Sequence, residues 1–369
     1  MNRSSAEKLL VSLPSGIFDK DDVEILSVTS AVPSFKITQE EVAWRAQKVY
    51  PQYARLDALY NNTGIDTRYA CEPREWYLEP RSWEERTASF QRHAMDLLEK
   101  VAISSIEAAG LVPSDIDVLV VNTITGLAVP SLEARLINRL PFKPTIERLP
   151  IFGLGCGGGV GGLARSARMA QAQPGSHVLF LTIDLCSLCL RVNDPSLAMF
   201  VSAALFGDGA AGVVLRSGGG GATGGIAGRG RVGASGDYFW SATEHIMGWD
   251  IKNDGFGVVL SPELPTLMRE RLGEALSGFL DANELTLEEF DGFLIHPGGR
   301  KVLDTAEEVL GVPHAKLEHS WGVLRDFGNM SSATAIFVLE RAIASGARGR
   351  HLLAAFGPGF SAYFVVLDL

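Results

Sequence analysis

The side chain most able to do chemistry is Cys156, set in Ile151-Phe-Gly-Leu-Gly-Cys-Gly-Gly-Gly-Val160. Glycines on both sides let the backbone turn sharply and let a ligand come close. The segment GVGGLARSARMAQA that follows carries Leu163, Ala167 and Ala170 on one face and reads as a helix. A thiol at a helix N-terminus feels a partial positive charge, which lowers its pKa and favours the nucleophilic thiolate. The bland alternative, a small buried cysteine, explains the neighbouring glycines poorly.

A thiolate nucleophile wants a base or cation beside it. His296 ends an apolar strand and runs into Pro297-Gly298-Gly299. That places it at a strand's C-terminal edge, where ligands of α/β sheets collect; a structural histidine is the alternative. The other six histidines lie in charged or turn-like contexts and read as surface. Asn329, in Asp326-Phe-Gly-Asn-Met-Ser-Ser332, is either a helix cap or an amide that completes an oxyanion hole. Cys186-Ser-Leu-Cys189 has no second cysteine or histidine pair to complete a metal site, so both thiols read as pocket walls and no metal is expected.

The elements that must position these residues come twice. A helix over about 90–109, stopped by Gly110, leads into the apolar strand Val118–Val121. An amphipathic stretch around 267–282 leads likewise into Phe293–Ile295. Asp117 and Asp291, just before the two strands, are 174 positions apart, as are Val178 and Leu352, which open two further apolar strands. Cys156 and Asn329, each near a helix start, are 173 apart. So regular an offset implies an internal duplication, two similar β/α units packed together. The expected organisation is an N-terminal extension 1–21, a cysteine-bearing half 22–216, a glycine-rich surface loop 217–236 and a second half 237–369 carrying His296 and Asn329.

Composition sets the outer limits. The 369 residues are 46% hydrophobic, enough for a large interior. The net charge of −10 argues against a general nucleic-acid partner, which a basic face would require. The first sixteen residues make a poor signal peptide, no stretch reads as a membrane span, and four cysteines do not make a disulfide scaffold. A cytoplasmic protein is expected.

The motifs GLGCGGG, ALFGDGAA, HPGG, FGNMSSA and the C-terminal AFGPG, in that order, resemble those of the type III polyketide synthases, the chalcone synthase family. The resemblance runs from about residue 22 to the C-terminus. It implies the thiolase fold, an α/β duplication in αβαβα layers, and a homodimer. It implies that Cys156 accepts an acyl group, that His296 and Asn329 serve decarboxylation and hold the oxyanion, and that Phe206 is a gatekeeper between a coenzyme A tunnel and the cavity. Thr125, Val129, Cys186, Cys189, Trp249, Phe256, Ser331 and Phe356 are the implied pocket residues, with Val129 reaching the partner's cavity. Arg55, Gly298, Gly299, Arg300 and Lys301 are the implied coenzyme A contacts, while Ala58 and Asn62 replace two basic residues of the family. The substrates implied are an acyl-CoA starter and malonyl-CoA, with no cofactor.

Glu75-Trp-Tyr-Leu-Glu-Pro80 and Ile246-Met-Gly-Trp249-Asp250 look closest to bacterial alkylpyrone and alkylresorcinol synthases, whereas the Cys-Ser-Leu-Cys stretch is similar to naphthalene-forming relatives. The expected activity is iterative decarboxylative condensation of malonyl-CoA onto an acyl starter, closing to a pyrone or resorcinol. The alternatives are a one-step ketoacyl-ACP synthase III-like enzyme and a tetrahydroxynaphthalene-type synthase that uses malonyl-CoA alone.

Overall fold

A computed structural model describes residues 23–56, 58–218 and 228–369. The expected extension 1–21 and positions 219–227 of the glycine-rich stretch lie outside the described residues.

Thirteen strands are described: β1 (Val23–Ala31), β2 (Phe35–Thr38), β3 (Thr67–Ala70), β4 (Val118–Thr123), β5 (Glu147–Phe152), β6 (His177–Leu185), β7 (Asp208–Arg216), β8 (Gly230–Phe239), β9 (Met247–Lys252), β10 (Gly255–Leu260), β11 (Gly292–Ile295), β12 (Arg350–Gly357) and β13 (Ser361–Asp368). Nine of them form one mixed sheet in the order β11-β12-β13-β8-β1-β7-β6-β4-β5. The duplication shows in its pairing. β4 runs parallel to β6, which turns back antiparallel to β7; β11 runs parallel to β12, which turns back antiparallel to β13.

Alternation along these strands builds the layers, because successive side chains point to opposite faces. Val118 and Val120 of β4 join one core, Leu119 and Val121 a second. In the other half, Leu294 of β11 joins the first core, while Phe293 and Ile295 join a third. The first core is filled by the helices Gly158–Ala172 and Ser332–Ala344, so both halves of the sheet flank one helical layer. The helix Trp83–Ala108 covers the N-terminal half outside; Leu264–Ala282 and Arg300–Leu310 cover the C-terminal half. The order α–β–α–β–α follows.

Three expectations change. The long outer helix starts at Trp83, not near residue 90, because Ser82 caps it reciprocally with Glu85. Gly230–Gly236, expected in a loop, belong to β8, which pairs with both β1 and β13. Backbone pairing needs no side chain, and a Cβ at Gly236 would sit 2.7 Å from the Phe279 ring. His351 is buried at the start of β12 rather than at the surface, its Nδ1 near Gly349 O.

The glycines after Cys156 also have a packing cause. A Cβ at Gly159 would lie 2.1 Å from Ser332 O and one at Gly157 2.3 Å from the Tyr363 ring. The two central helices therefore touch backbone to backbone where the halves meet. Among the described residues no helix is long and apolar enough to cross a membrane.

Candidate active site

Cys156 lies in a tight turn, Gly155–Gly157, directly before the helix Gly158–Ala172. Its sulfur is buried against the side chains of Ser331 and Asn329. Burial pushes the thiol up to about 12; hydrogen bonds from Ser331 and Asn329 oppose that shift, and the carboxyl of Asp184 reinforces it. The helix N-terminus thus does not by itself produce the expected thiolate, because desolvation is the larger effect.

His296 follows β11, where its N–H donates to Ala354 O at 2.8 Å. The ring is buried and neither nitrogen has a hydrogen-bond partner among the described residues. Burial lowers its pKa to about 3, so the imidazole is neutral at pH 7. A buried ring with two unmet polar atoms is costly as pure structure, which counts against the structural alternative. The sulfur's partners are Ser331 and Asn329, not the imidazole.

Asn329 ties the constellation together. Its Nδ2 donates to Gly298 O at 3.1 Å, and its Oδ1 accepts from Ser331 N at 2.8 Å. Gly298 N donates to His296 O at 3.0 Å, and a Cβ on Gly298 would come within 3.8 Å of His296 Nε2. The amide therefore neighbours both the thiol and the residue against the imidazole.

Phe206 ends the helix Leu197–Leu205 and forms a parallel bridge with Asn329. Its side chain and Cys156 line the same cavity of about 430 Å³. Cys186, Trp249 and Ser331 line it too, with an apolar wall of Ile124, Met247, Val258 and Leu260. Trp249 is fixed by an Nε1–H bond to Ile124 O (2.9 Å) and by packing on Phe256, ring centroids 5.7 Å apart.

A family model for the N-terminal domain of chalcone and stilbene synthases matches residues 19–219, and one for their C-terminal domain matches residues 232–368. The chain belongs to that family. It is 37% identical to a 1,3,6,8-tetrahydroxynaphthalene synthase of Streptomyces peucetius subsp. caesius, over 93% of this chain and 92% of that protein. It is 33% identical to a putative chalcone synthase of Bacillus subtilis, covering 93% and 98% respectively. The crystal structure of the Streptomyces coelicolor tetrahydroxynaphthalene synthase, a bacterial type III polyketide synthase, matches with a TM-score of 0.87 at 31% identity, over 94% of this chain and 99% of that one. The fold is thus the thiolase fold of the type III polyketide synthases, and the enzyme is an acyltransferase of that group.

Other residues expected to serve this polyketide synthase are placed less uniformly. Thr125 and Phe256 line a separate void of about 20 Å³ beside Leu188. The Cys189 sulfur is buried 3.9 Å from Thr125 O and does not line the main cavity. Phe356 is not a cavity residue: it points into the third core and stacks on Phe360, because alternation along β12 turns it away from Cys156. Val129 is 94% exposed. Arg55 stands exposed on the turn Pro51–Leu56. Gly298 and Gly299 lead into the helix that starts with the exposed Arg300 and Lys301, and Arg300 pairs with Asp304 at 3.6 Å.

Two residues absent from the sequence expectations are central here. Asp184, at the end of β6, accepts from Ile124 N (2.8 Å), Thr125 Oγ1 (3.3 Å) and Ser332 N (2.9 Å), and also from the Ser332 hydroxyl. It thereby joins the N-terminal half to the start of the helix that follows Asn329. An acid closing an apolar strand, in the manner of His296, was the available signal. The second is Arg68, buried beneath Phe206.

Proposed function

We propose that the enzyme condenses malonyl-CoA repeatedly onto an apolar acyl starter held on Cys156, then closes the chain to a pyrone or resorcinol. The single observation that carries this reading is that the Cys156 thiol and Phe206 line a mostly apolar cavity of about 430 Å³, while Asn329 links the thiol to the turn carrying His296.

Cys156 attacks the starter thioester as its proton passes to His296, and the departing coenzyme A thiolate takes that proton away. Malonyl-CoA then loses carbon dioxide, and the electron pair of the broken C–C bond enters the thioester carbonyl. N–H groups of His296 and Asn329 hold the resulting enolate oxygen. A neutral imidazole suits this step because it donates a hydrogen bond without protonating the carbanion. The enolate carbon attacks the acyl-cysteine and expels the Cys156 thiolate, which then attacks the lengthened CoA thioester and releases coenzyme A thiolate, protonated by solvent. Loss of carbon dioxide drives each round, so no cofactor is required.

Phe206 separates this cavity from the approach to coenzyme A, whose phosphates Arg55, Arg300 and Lys301 meet near Gly298 and Gly299. Exposed apolar side chains at Leu127, Val129 and Phe152 support a homodimer, with Val129 at the partner. Four unpaired buried thiols suit a reducing cytoplasm.

A malonyl-only, tetrahydroxynaphthalene-type reaction is the second reading, favoured by the likeness to the two Streptomyces enzymes. The test is product analysis with a ladder of acyl-CoA starters and malonyl-CoA, without a carrier protein. Starter-derived pyrones or resorcinols with two or more malonyl units support the main reading. Products built from malonyl-CoA alone favour the second, and a single extension or dependence on a carrier protein returns the one-step reading.

A further inference from the structure

Arg68, on β3, is 3% exposed, and among the described residues its guanidinium meets no carboxylate. Nη1 donates to Ala203 O (3.2 Å) and Phe206 O (3.1 Å); Nη2 donates to Ala204 O (2.8 Å) and to the side-chain oxygen of Gln39. A buried cation with no counter-ion is expensive unless its environment supplies negative potential. Here the supply is the end of the helix Leu197–Leu205, whose last carbonyls carry the negative pole of the helix dipole. Gln39 is itself anchored, its Nε2 donating to Tyr60 O (2.9 Å) and Thr63 Oγ1 (3.0 Å).

What this arginine holds is the segment that bears the gate. Immediately after the capped helix, Gly207 N donates to Asn329 O and Asn329 N to Leu205 O, both at 2.9 Å. A Cβ on Gly207 would lie 3.1 Å from Arg68 Cβ, and one on Gly328 3.6 Å from it, so the arginine stem fills the space beneath a glycine from each half. Phe206 also borders a second void of about 40 Å³, which Cys156 does not line and which Arg68, Tyr77 and Ala203 share. Phe206 thus borders two voids, and the hydrogen bonds on its main chain are what the structure shows holding it.

We infer that Arg68 is a positioning residue, whose grip on the Phe206 carbonyl sets the register of the gate and of the Asn329 amide against Cys156. The inference rests on the polyketide-synthase reading above. It distinguishes Arg68 from an ordinary helix cap, whose loss would lower stability and all partial reactions together.

The test separates two half-reactions in Arg68→Lys, which keeps charge and stem but cannot span three carbonyls. Acyl transfer to Cys156 is followed by intact mass, malonyl-CoA decarboxylation by carbon dioxide release, and folding by thermal melting. Because misplacement of the amide weakens enolate stabilisation selectively, decarboxylation is expected to fall about tenfold and acyl transfer by less than about threefold. Equal losses in both, or wild-type rates in both, would overturn the inference. Should Arg68→Lys not fold, Gln39→Ala removes one acceptor and leaves the arginine; the same asymmetry is expected at about threefold, and its absence overturns the inference. If the wild-type enzyme releases no carbon dioxide from malonyl-CoA, the polyketide reading fails instead.

Discussion

Phe206 and Asn329 are joined main chain to main chain: Asn329 N donates to Leu205 O and Gly207 N to Asn329 O, each at 2.9 Å, across a parallel bridge between the two halves. The main chain of a cavity-lining residue and that of an amide beside the thiol therefore cannot move independently. Their spacing is a property of the backbone, protected by Gly207 and Gly328, which let the two segments come this close.

That bridge is expected to fail in Gly207→Ala. The added Cβ would meet Phe327 O at 2.9 Å, and a carbonyl in the backbone cannot step aside as a flexible side chain could. The expected outcome is a loss of about 1–3 kcal/mol of stability and at least a tenfold drop in condensation. Melting curves and steady-state product formation check it; a variant with wild-type activity would show that the bridge does not govern the site.

Burial alone would leave the Cys156 thiol protonated at neutral pH, since it pushes the pKa up to about 12. The proposed chemistry requires His296 to take the proton as the sulfur attacks, acting as general base rather than as a standing counter-ion. The pH profile of Cys156 alkylation is therefore expected to move upward by more than about one unit in His296→Gln. Superimposable profiles would mean that the imidazole does not act on the sulfur.

Asp208 gives a pH-dependent contribution of known sign. Burial raises its carboxyl to about 6, against hydrogen bonds from Ser187 N, Ser187 Oγ and Cys71 N. The folded protein then binds more protons than the unfolded chain between about pH 4 and 6. The stabilising contribution is complete below about pH 4 and disappears as pH rises through about 6. Wild type should lose melting temperature relative to Asp208→Asn across that window, whatever the variant's absolute stability. Parallel curves would remove Asp208 as the source.

Trp249 walls the cavity, held by its bond to Ile124 O and by Phe256. Trp249→Leu shortens that wall toward the void lined by Trp83 and Phe256. Longer acyl-CoA starters are expected to gain in kcat/KM relative to short ones, at a cost of about 1–3 kcal/mol in stability. An unchanged starter preference would place the acyl chain elsewhere in the cavity.

Much of the site was legible in the sequence because its residues carry local signatures. Cys156 and Asn329 sit at equivalent points of a counted repeat, and His296 closes an apolar strand before Pro-Gly-Gly. The same strands read as uniformly apolar, which marks cover on both faces but not the division of that cover into separate cores. What stayed hidden depends on distant partners. Arg68 is 138 positions from the Phe206 carbonyl it holds, and Asp184 is 148 from Ser332. The acid closing the apolar strand at LTID is a local signal for Asp184, but no pattern in TRYA or LTID announces the distant partners. Phe356 is a pocket residue only by the resemblance; no pattern in the strand itself tells which of its faces meets the cavity, and Phe356 joins the third core. The glycine-rich start of β8 was missed because composition reports side-chain packing, whereas that strand is held by backbone pairing to β1 and β13. The thiol's protonation state escaped because a helix N-terminus is visible in sequence and burial is not.

The central claim is that Cys156 carries the growing acyl chain. Intact mass of the wild-type enzyme after brief incubation with an apolar acyl-CoA, followed by peptide mapping, tests it most directly. The account predicts one acyl adduct, located on the peptide containing Cys156, that lengthens or discharges when malonyl-CoA is added. An unmodified protein, or an adduct confined to Cys186 or Cys189, would contradict it.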